Sequence, residues 1–529
     1  MVDVSQAIKY VCMSDMHMGE EDSLLTALEN GEVDCRNPSP VMVELVKCLR
    51  YLLSVNEGQG DIKPTLIANG DILEMALCDI HQSATVFDRF LDLVMPEGNE
   101  IFNKIVYIPG NHDQHIWEMA RATQYSEYLR SSPDQDQEPP NFMFEPPWHK
   151  TGIFLEEPHG DRNYIPSSYF LDVVVGRYKK DEKTQGEKTR REKKHGSSFN
   201  IWVAYPNFGF LSPDGKKCIL IHHGHFAEPI YRLMSRLNNF LNEVDDKMPT
   251  NMDDLQRENF AWIEFFWSML GRSGRVGETV ESLWEQLSDE NSTRILARKL
   301  ARTIVNRSGL PVVDGPLNIF ADWVVDEMEK WNLFQDFRPE RTLGDLSMSQ
   351  GLRQEIISYM KYPLWNQMRM EMKDLGKTYN LMPEEMSLII GHTHKPMQET
   401  IDLSYPVKSA SIYNTGGWVI DKANPEPAYG GAIAFIDGNM NVALLGMFRE
   451  ACEENNRSSS TNAIDPEKKC RQKVMLLEDG LPKNDLTNRL KLLIKSSESP
   501  WREFSSVAAD EMTIREKNIC RRLEKRSVD

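Results

Sequence analysis

"KIVYIPGNHDQH" (104–115) joins a β-branched and aromatic run directly to chelating side chains. Ile105-Val106-Tyr107-Ile108 reads as a buried strand, ended by the Pro109-Gly110 turn. Asn111, His112 and Asp113 follow at once, supplying an amide oxygen, an imidazole and a carboxylate. In layered α/β folds ligands bind beyond the carboxyl ends of strands, so polar residues stacked there predict a site.

The same pattern recurs in "IKYVCMSDMHMGE" (8–20), "TLIANGDILE" (65–74), "CILIHHGHF" (218–226) and "SLIIGHTHKP" (387–396). Between the first strands lie stretches with apolar residues three and four apart, "VMVELVKCLRYLLSV" (41–55) and "TVFDRFLDLVM" (85–95), which predict helices. Strands alternating with helices imply an α/β layered core.

Each strand end offers specific chemistry. Asp15 and His17, two residues apart, can face one centre if the backbone leaves the strand there, making half of a divalent-metal site. Gly70 permits a tight turn before Asp71, whose two oxygens can bridge two metals. Asn111 is a neutral oxygen donor, and the adjacent His112 can protonate a departing alkoxide. His392 and His394 share a side of an extended segment, and His222, His223 and His225 form a second cluster. The Gly-Asn-His-Asp string is the more specific signal; the Asp15/His17 pair, the Gly-Asp turn or a lone histidine, taken singly, is an ordinary surface feature. Two clusters ending apolar runs, in a chain with only 12 histidines, are not.

Bulk properties narrow the classes. The 529 residues carry a formal charge of −19, which argues against broad nucleic-acid binding driven by net charge. Eight cysteines show no paired spacing, which predicts reduced thiols rather than a disulfide framework or a zinc knuckle. The N-terminus lacks a basic region followed by a long apolar core, and no window predicts a transmembrane segment. A cytoplasmic location is expected. "DLGKTYN" (374–380) contains Gly-Lys-Thr, but Glu371 stands where a phosphate loop needs its first glycine.

Two segments interrupt the α/β pattern. The 177–196 stretch carries nine Lys or Arg against four acids over 177–194, which predicts a solvated loop; the alternative is a patch for phosphate or nucleic acid. Residues 227–385 read as a helical insertion, with Leu233, Leu237, Phe240, Leu241 and Val244 on one helical face. Within it, "FAWIEFFWSMLG" (260–271) is apolar nearly all round, as in a buried helix. The sharper alternative is a greasy lid making peripheral membrane contact or touching a lipid-bearing substrate. The expected organisation is a core over 1–226, the insertion, a second core part over 386–450, and a polar linker with a weakly structured tail over 451–529 that holds one or two helical pieces. Around Asp437-Gly438 the alternation of 431–448 predicts a hairpin.

Taken in order, Asp-x-His, Gly-Asp, Gly-Asn-His-Asp, His-Gly-His and Gly-His-Thr-His resemble the signature of the calcineurin-like metallophosphoesterase family, over roughly 8–226 and 386–448. The resemblance implies a four-layer α-β-β-α sandwich, two sheets between helices, holding two divalent metal ions. It assigns Asp15, His17 and His394 to one ion, Asn111, His223 and His392 to the other, and Asp71 to both. It makes His112 the group that protonates the leaving group and Asp113 the residue that orients it. His159, in "EPHGDRNY" (157–164), is the rival for His223, and His225 is a supporting or substrate-facing group.

The implied reaction is hydrolysis of a phosphodiester, pyrophosphate or phosphomonoester bond by water activated between two cations, without a serine or cysteine nucleophile. A mixed Asn/Asp/His ligand set suits manganese, iron, cobalt or zinc better than calcium. The family's Ser/Thr protein phosphatases carry Gly-Asn-His-Glu and Asp-Arg-Gly strings, whereas this chain has "GNHD" and "GDILEM". A phosphorylated small molecule, a nucleotide or a nucleotide-linked lipid is therefore the expected substrate. Oligomeric state is not legible in the sequence. The competing functions are a non-catalytic binding scaffold on the same fold and a nuclease using the basic loop.

Overall fold

A computed structural model describes residues 4–131, 150–154, 168–174, 201–232, 235, 247–264, 340, 345–374, 383–420, 422–451, 473–478 and 480–526. The basic 177–196 loop, His159, the 233–244 apolar face and most of the 260–271 stretch lie outside them.

In chain order the strands are β1 (Ile8–Met13), β2 (Ala27–Glu29), β3 (Glu32–Asp34), β4 (Thr65–Asn69), β5 (Ile105–Ile108), β6 (Ile201–Val203), β7 (Asn207–Leu211), β8 (Lys217–His222), β9 (Glu385–Ile390), β10 (Met397–Asp402), β11 (Ser409–Asn414), β12 (Gly430–Asp437), β13 (Val442–Arg449) and β14 (Met475–Leu476). The helices are α1 (Pro40–Val55), α2 (Ile80–Val94), α3 (His115–Ser131), α4 (Tyr169–Val174), α5 (Met252–Ile263), α6 (Gln350–Tyr359), α7 (Trp365–Asp374), α8 (Asp485–Leu493) and α9 (Trp501–Arg526). A π-helical stretch, Met360–Leu364, joins α6 to α7.

The chain is an α/β fold built on two mixed sheets. One sheet runs β14-β13-β12-β1-β4-β5-β6 and the other β10-β11-β9-β8-β7. Strands β1, β4, β5 and β6 are mutually parallel, as are β8, β9 and β11, so two sets of carboxyl ends supply the site.

Alternation along the strands divides the core. Cys12, Ile67 and Val106 share one buried cluster with Ile219, Ile221 and Ile389 of the other sheet. Their neighbours Val11, Leu66 and Ile105 instead join a cluster containing the apolar faces of α1 and α2. Because side chains of successive strand residues point to opposite faces, one strand serves both interfaces. Helix α1 starts cleanly because the Ser39 hydroxyl accepts from the Met42 N–H at 3.0 Å and Pro40 needs no N–H partner. Its buried stripe of Val41, Leu45, Cys48, Leu49 and Leu52 then faces the sheet. Helix α2 begins five residues before the apolar pattern does, at Ile80, with Asp79 as its cap position.

Strands β8 and β9 are parallel neighbours, with Lys217 opposite Glu385 and Ile221 opposite Ile389. The chain between them leaves and returns to the sheet; its described parts are chiefly the helices α5, α6 and α7. The hairpin predicted around Asp437-Gly438 is formed by β12 and β13.

The tail carries two helices, and both pack on the core. Over 473–526 it adds β14 beside β13, then α8 and α9. Trp501, Phe504, Ala508 and Met512 are buried, spaced three or four apart along α9. Averaging over a charged sequence hides such a stripe. Arg515, fully buried in the same helix, donates through Nη2 to the carbonyls of Ser23 and Thr26, at 3.2 and 2.5 Å, in the loop after the first strand.

Candidate metal centre

Five of the sequence-predicted metal residues sit in the left-handed backbone region: Asp15 (φ 50°), His17 (42°), Asp71 (51°), His392 (70°) and His394 (58°). Such a conformation costs on the order of 1 kcal/mol or more for each non-glycine residue and persists only where surrounding contacts enforce it. Here the strand-end loops lock one another. Asp15 N–H donates to Gly70 O and His17 N–H to Asp71 O, both at 2.9 Å, and Gly391 N–H donates to His223 O at 2.7 Å. Asn69 Nδ2 reaches His222 O at 3.1 Å, tying one sheet to the other directly beneath the site.

The loops bring together Asp15, His17, Asp71, Asn111, His112, Asp113, His223, His392 and His394. All nine are buried, none more than 8% exposed. Ligand-type atoms of Asp15, His17 and His394 lie within 4.8 Å of one another, as do those of Asp71, His223 and His392. Asn111 Oδ1 is 3.1 Å from His223 Nε2, which adds it to the second group. Asp71 Oδ2 stands between the groups, 3.0 Å from His223 Nε2 and 4.0 Å from His17 Nε2. His222 turns away toward Tyr359 and Phe226, and its Nδ1 accepts the Gly224 N–H at 2.9 Å.

Second contacts fix which imidazole atom faces the centre. His223 Nδ1–H donates to Asn69 O at 3.0 Å, leaving Nε2 toward Asp71 and Asn111. His17 Nδ1–H donates to Glu74 Oε2 at 2.8 Å. Its Nε2 is buried with no hydrogen-bond partner among the described residues. A buried orphaned nitrogen beside two carboxylates is a donor set suited to a cation, and the residues present fit a divalent metal. The glycines make room for it: a Cβ at Gly70 (φ +81°) would collide with the His223 ring, and one at Gly391 with the Asp15 carboxylate.

Charge follows from this crowding. Burial pushes the Asp71 carboxyl up, but the His223 and His112 charges outweigh it and hold the group well below the usual range. Asp15 is lowered in the same way, burial being overcome by His223 and His394. Burial opposes a proton on His223, yet Asp71 and Asp15 raise it to about 10. For His17 burial wins over Glu74, and its proton affinity falls.

Asp113 accepts three hydrogen bonds. Its Oδ1 accepts from Gly110 N–H at 2.6 Å and its Oδ2 from Ile72 N–H at 2.9 Å and Tyr107 OH at 2.5 Å, so it clamps the Gly-Asn-His turn to the next strand end. Burial, followed by the Asp71 charge, raises its carboxyl to about 6. A carboxylate against the His112 ring is that of Glu74, with Oε2 2.8 Å from Nδ1. Glu74 is fully buried and was legible only as an acid inside the apolar string "DILEMAL" (71–77). A separate group, His115, Glu118 and Glu264, lies beside Arg121, whose charge balances the two acids.

A two-sheet sandwich with paired Asp/His clusters at its strand ends defines a metallophosphoesterase domain. Residues 8–245 match the family model of the calcineurin-like phosphoesterases, and the chain carries a domain of that family, whose members are generally metal-dependent hydrolases of phosphoesters. The match takes in Asp15 through His223 and stops short of His392 and His394, which β9 returns to the same place. No curated protein matches the chain. No described helix is long and apolar enough to cross a membrane.

Proposed function

We propose that the chain hydrolyses a phosphodiester or pyrophosphate bond at a centre of two divalent cations. Asp15, His17 and His394 would hold one, Asn111, His223 and His392 the other, with Asp71 shared. The observation that carries this reading is the position of Asp71 Oδ2, within 3.0 Å of a nitrogen in one group and 4.0 Å of a nitrogen in the other. When bound, two such ions lower the pKa of a water and offset charge on phosphoryl oxygens. Manganese, iron, cobalt and zinc suit these donors.

The chain's own residues do the rest. His112 delivers a proton from Nε2 to the leaving oxygen, and the Glu74 carboxylate, with Oε2 2.8 Å from Nδ1, favours the protonated ring. Asp113 and Tyr107 keep the Gly-Asn-His turn in register. A nucleotide or a nucleotide-linked lipid is the favoured substrate, since the protein-phosphatase strings are absent from the second and third blocks. The six described cysteines are free, which suits a cytoplasmic setting.

Turnover of bis-p-nitrophenyl phosphate by manganese-loaded protein, abolished by chelation and restored by added metal, is the expected result. A metal-loaded protein that cleaves neither this diester nor the monoester would support the scaffold reading instead.

A further inference from the structure

We infer that Glu228 is a positioning residue for His392, and through it for the cation shared by Asp71, Asn111, His223 and His392. The inference rests on the two-cation reading above. Glu228 lies five residues past His223, where the chain has left β8 and entered the segment that ends at β9. It is 3% exposed, an unusual place for an acid unless its oxygens are engaged. Both are. His392 Nε2–H donates to Glu228 Oε2 at 2.5 Å, and Glu340 N–H donates to Glu228 Oε1 at 2.7 Å.

The first contact has a chemical consequence. With Nε2 carrying its hydrogen toward a carboxylate, Nδ1 is the one nitrogen His392 retains with a lone pair for a cation. A carboxylate behind a ligand imidazole also raises its basicity and restricts its rotation. Around the ring, the His223 and Tyr231 rings pack edge-on at centroid distances of 5.2 and 5.3 Å, so Glu228 selects the tautomer while packing selects the plane.

The second contact extends the dependence outward. Glu340 is 3% exposed, and its Oε1 accepts from Ser349 N–H at 3.0 Å and Lys395 Nζ at 3.2 Å. Lys395 follows His394 in the fifth motif. A chain of four hydrogen bonds thus runs from His392 through Glu228 and Glu340, out to Ser349 just ahead of α6 and back to the residue beside His394. The chain between β8 and β9 is thereby built into the metal centre, and one of the two cation sites depends on it more than the other.

The test is a manganese titration of the metal-free full-length chain, followed by electron paramagnetic resonance to separate an isolated ion from an exchange-coupled pair. Wild type should take up two ions. Glu228→Gln, which keeps side-chain length and loses the charge, should bind the first ion as wild type does and the second about 10-fold or more weakly, within the range found when carboxylates behind metal-bound histidines are removed. Glu228→Ala should lose more. Thermal melting of the metal-free variants reads folding separately, and the Gln variant decides the matter if the Ala variant does not fold. Affinity for the second ion within twofold of wild type in Glu228→Gln overturns the inference, as does equal weakening of both ions, the mark of a merely structural role. A wild-type chain that takes up fewer than two ions rejects the two-cation reading itself.

Discussion

His112 Nδ1 and Glu74 Oε2 are 2.8 Å apart, both enclosed, and the same Glu74 oxygen stands 2.8 Å from His17 Nδ1. One carboxylate therefore ties together two imidazoles, accepting from His17 and lying against His112. The burial cost of Glu74 is more than offset by these two rings, and its pKa falls well below the carboxylate range.

His112→Ala should lower kcat by roughly 10²- to 10⁴-fold on an alkyl phosphodiester, the usual range for a lost general acid. The loss should be smaller on a p-nitrophenyl ester, whose leaving group departs without a proton. Two bound manganese ions per chain should remain. Glu74→Gln should fall between wild type and His112→Ala on the alkyl ester, since it acts through the ring. Equal losses on both esters would argue against proton donation.

Asp71→Asn should abolish binding of the ion pair rather than weaken one site, because one oxygen serves both groups of ligands. Metal analysis after gel filtration should find one ion or none. Retention of two would remove Asp71 from the shared position.

Manganese affinity should rise with pH. The metal-free protein holds a proton on His223 up to about pH 10, because Asp71 and Asp15 together overcome the burial that opposes it. A cation at Nε2 must displace that proton, so between about pH 6.5 and 7.5 affinity should increase about tenfold if one proton is released. Titrations at the two pH values in matched ionic strength measure the slope, and a flat response would contradict it.

Gly70→Ala should cost both stability and metal. Its φ of +81° is strained for alanine, and the added methyl would meet the His223 ring. A loss of about 1–3 kcal/mol in denaturant unfolding is expected, with reduced manganese content at equal protein.

Arg515→Ala should destabilise the fold by about 3 kcal/mol, the scale for removing one partner of a buried charged network. It strips hydrogen bonds from the Ser23 and Thr26 carbonyls and leaves Glu511 without its ion pair. Thermal unfolding should show it, and an unchanged midpoint would mean that α9 is not integral to the domain.

The residue types of the site and their places at strand ends were fully determined by the sequence. A β-branched run followed by Gly, Asn, His and Asp puts chelating groups at the carboxyl end of a strand, and five such blocks in one order carried the family resemblance. Helix α1 and the β12–β13 hairpin were equally legible, since an apolar stripe and an Asp-Gly turn are local signals. What stayed hidden was set by contacts between residues distant in the chain. Glu74 meets the His112 ring because the β4 and β5 loops approach in space, and no spacing encodes that approach. Glu228 reaches His392 only because β8 and β9 lie side by side. The left-handed turns at Asp15, His17, Asp71, His392 and His394 exist because neighbouring loops hold them there, a free-energy cost that the isolated segments would not bear. Local chemistry is written in order along the chain, whereas the pairing of one buried charge with another is decided when the strands assemble.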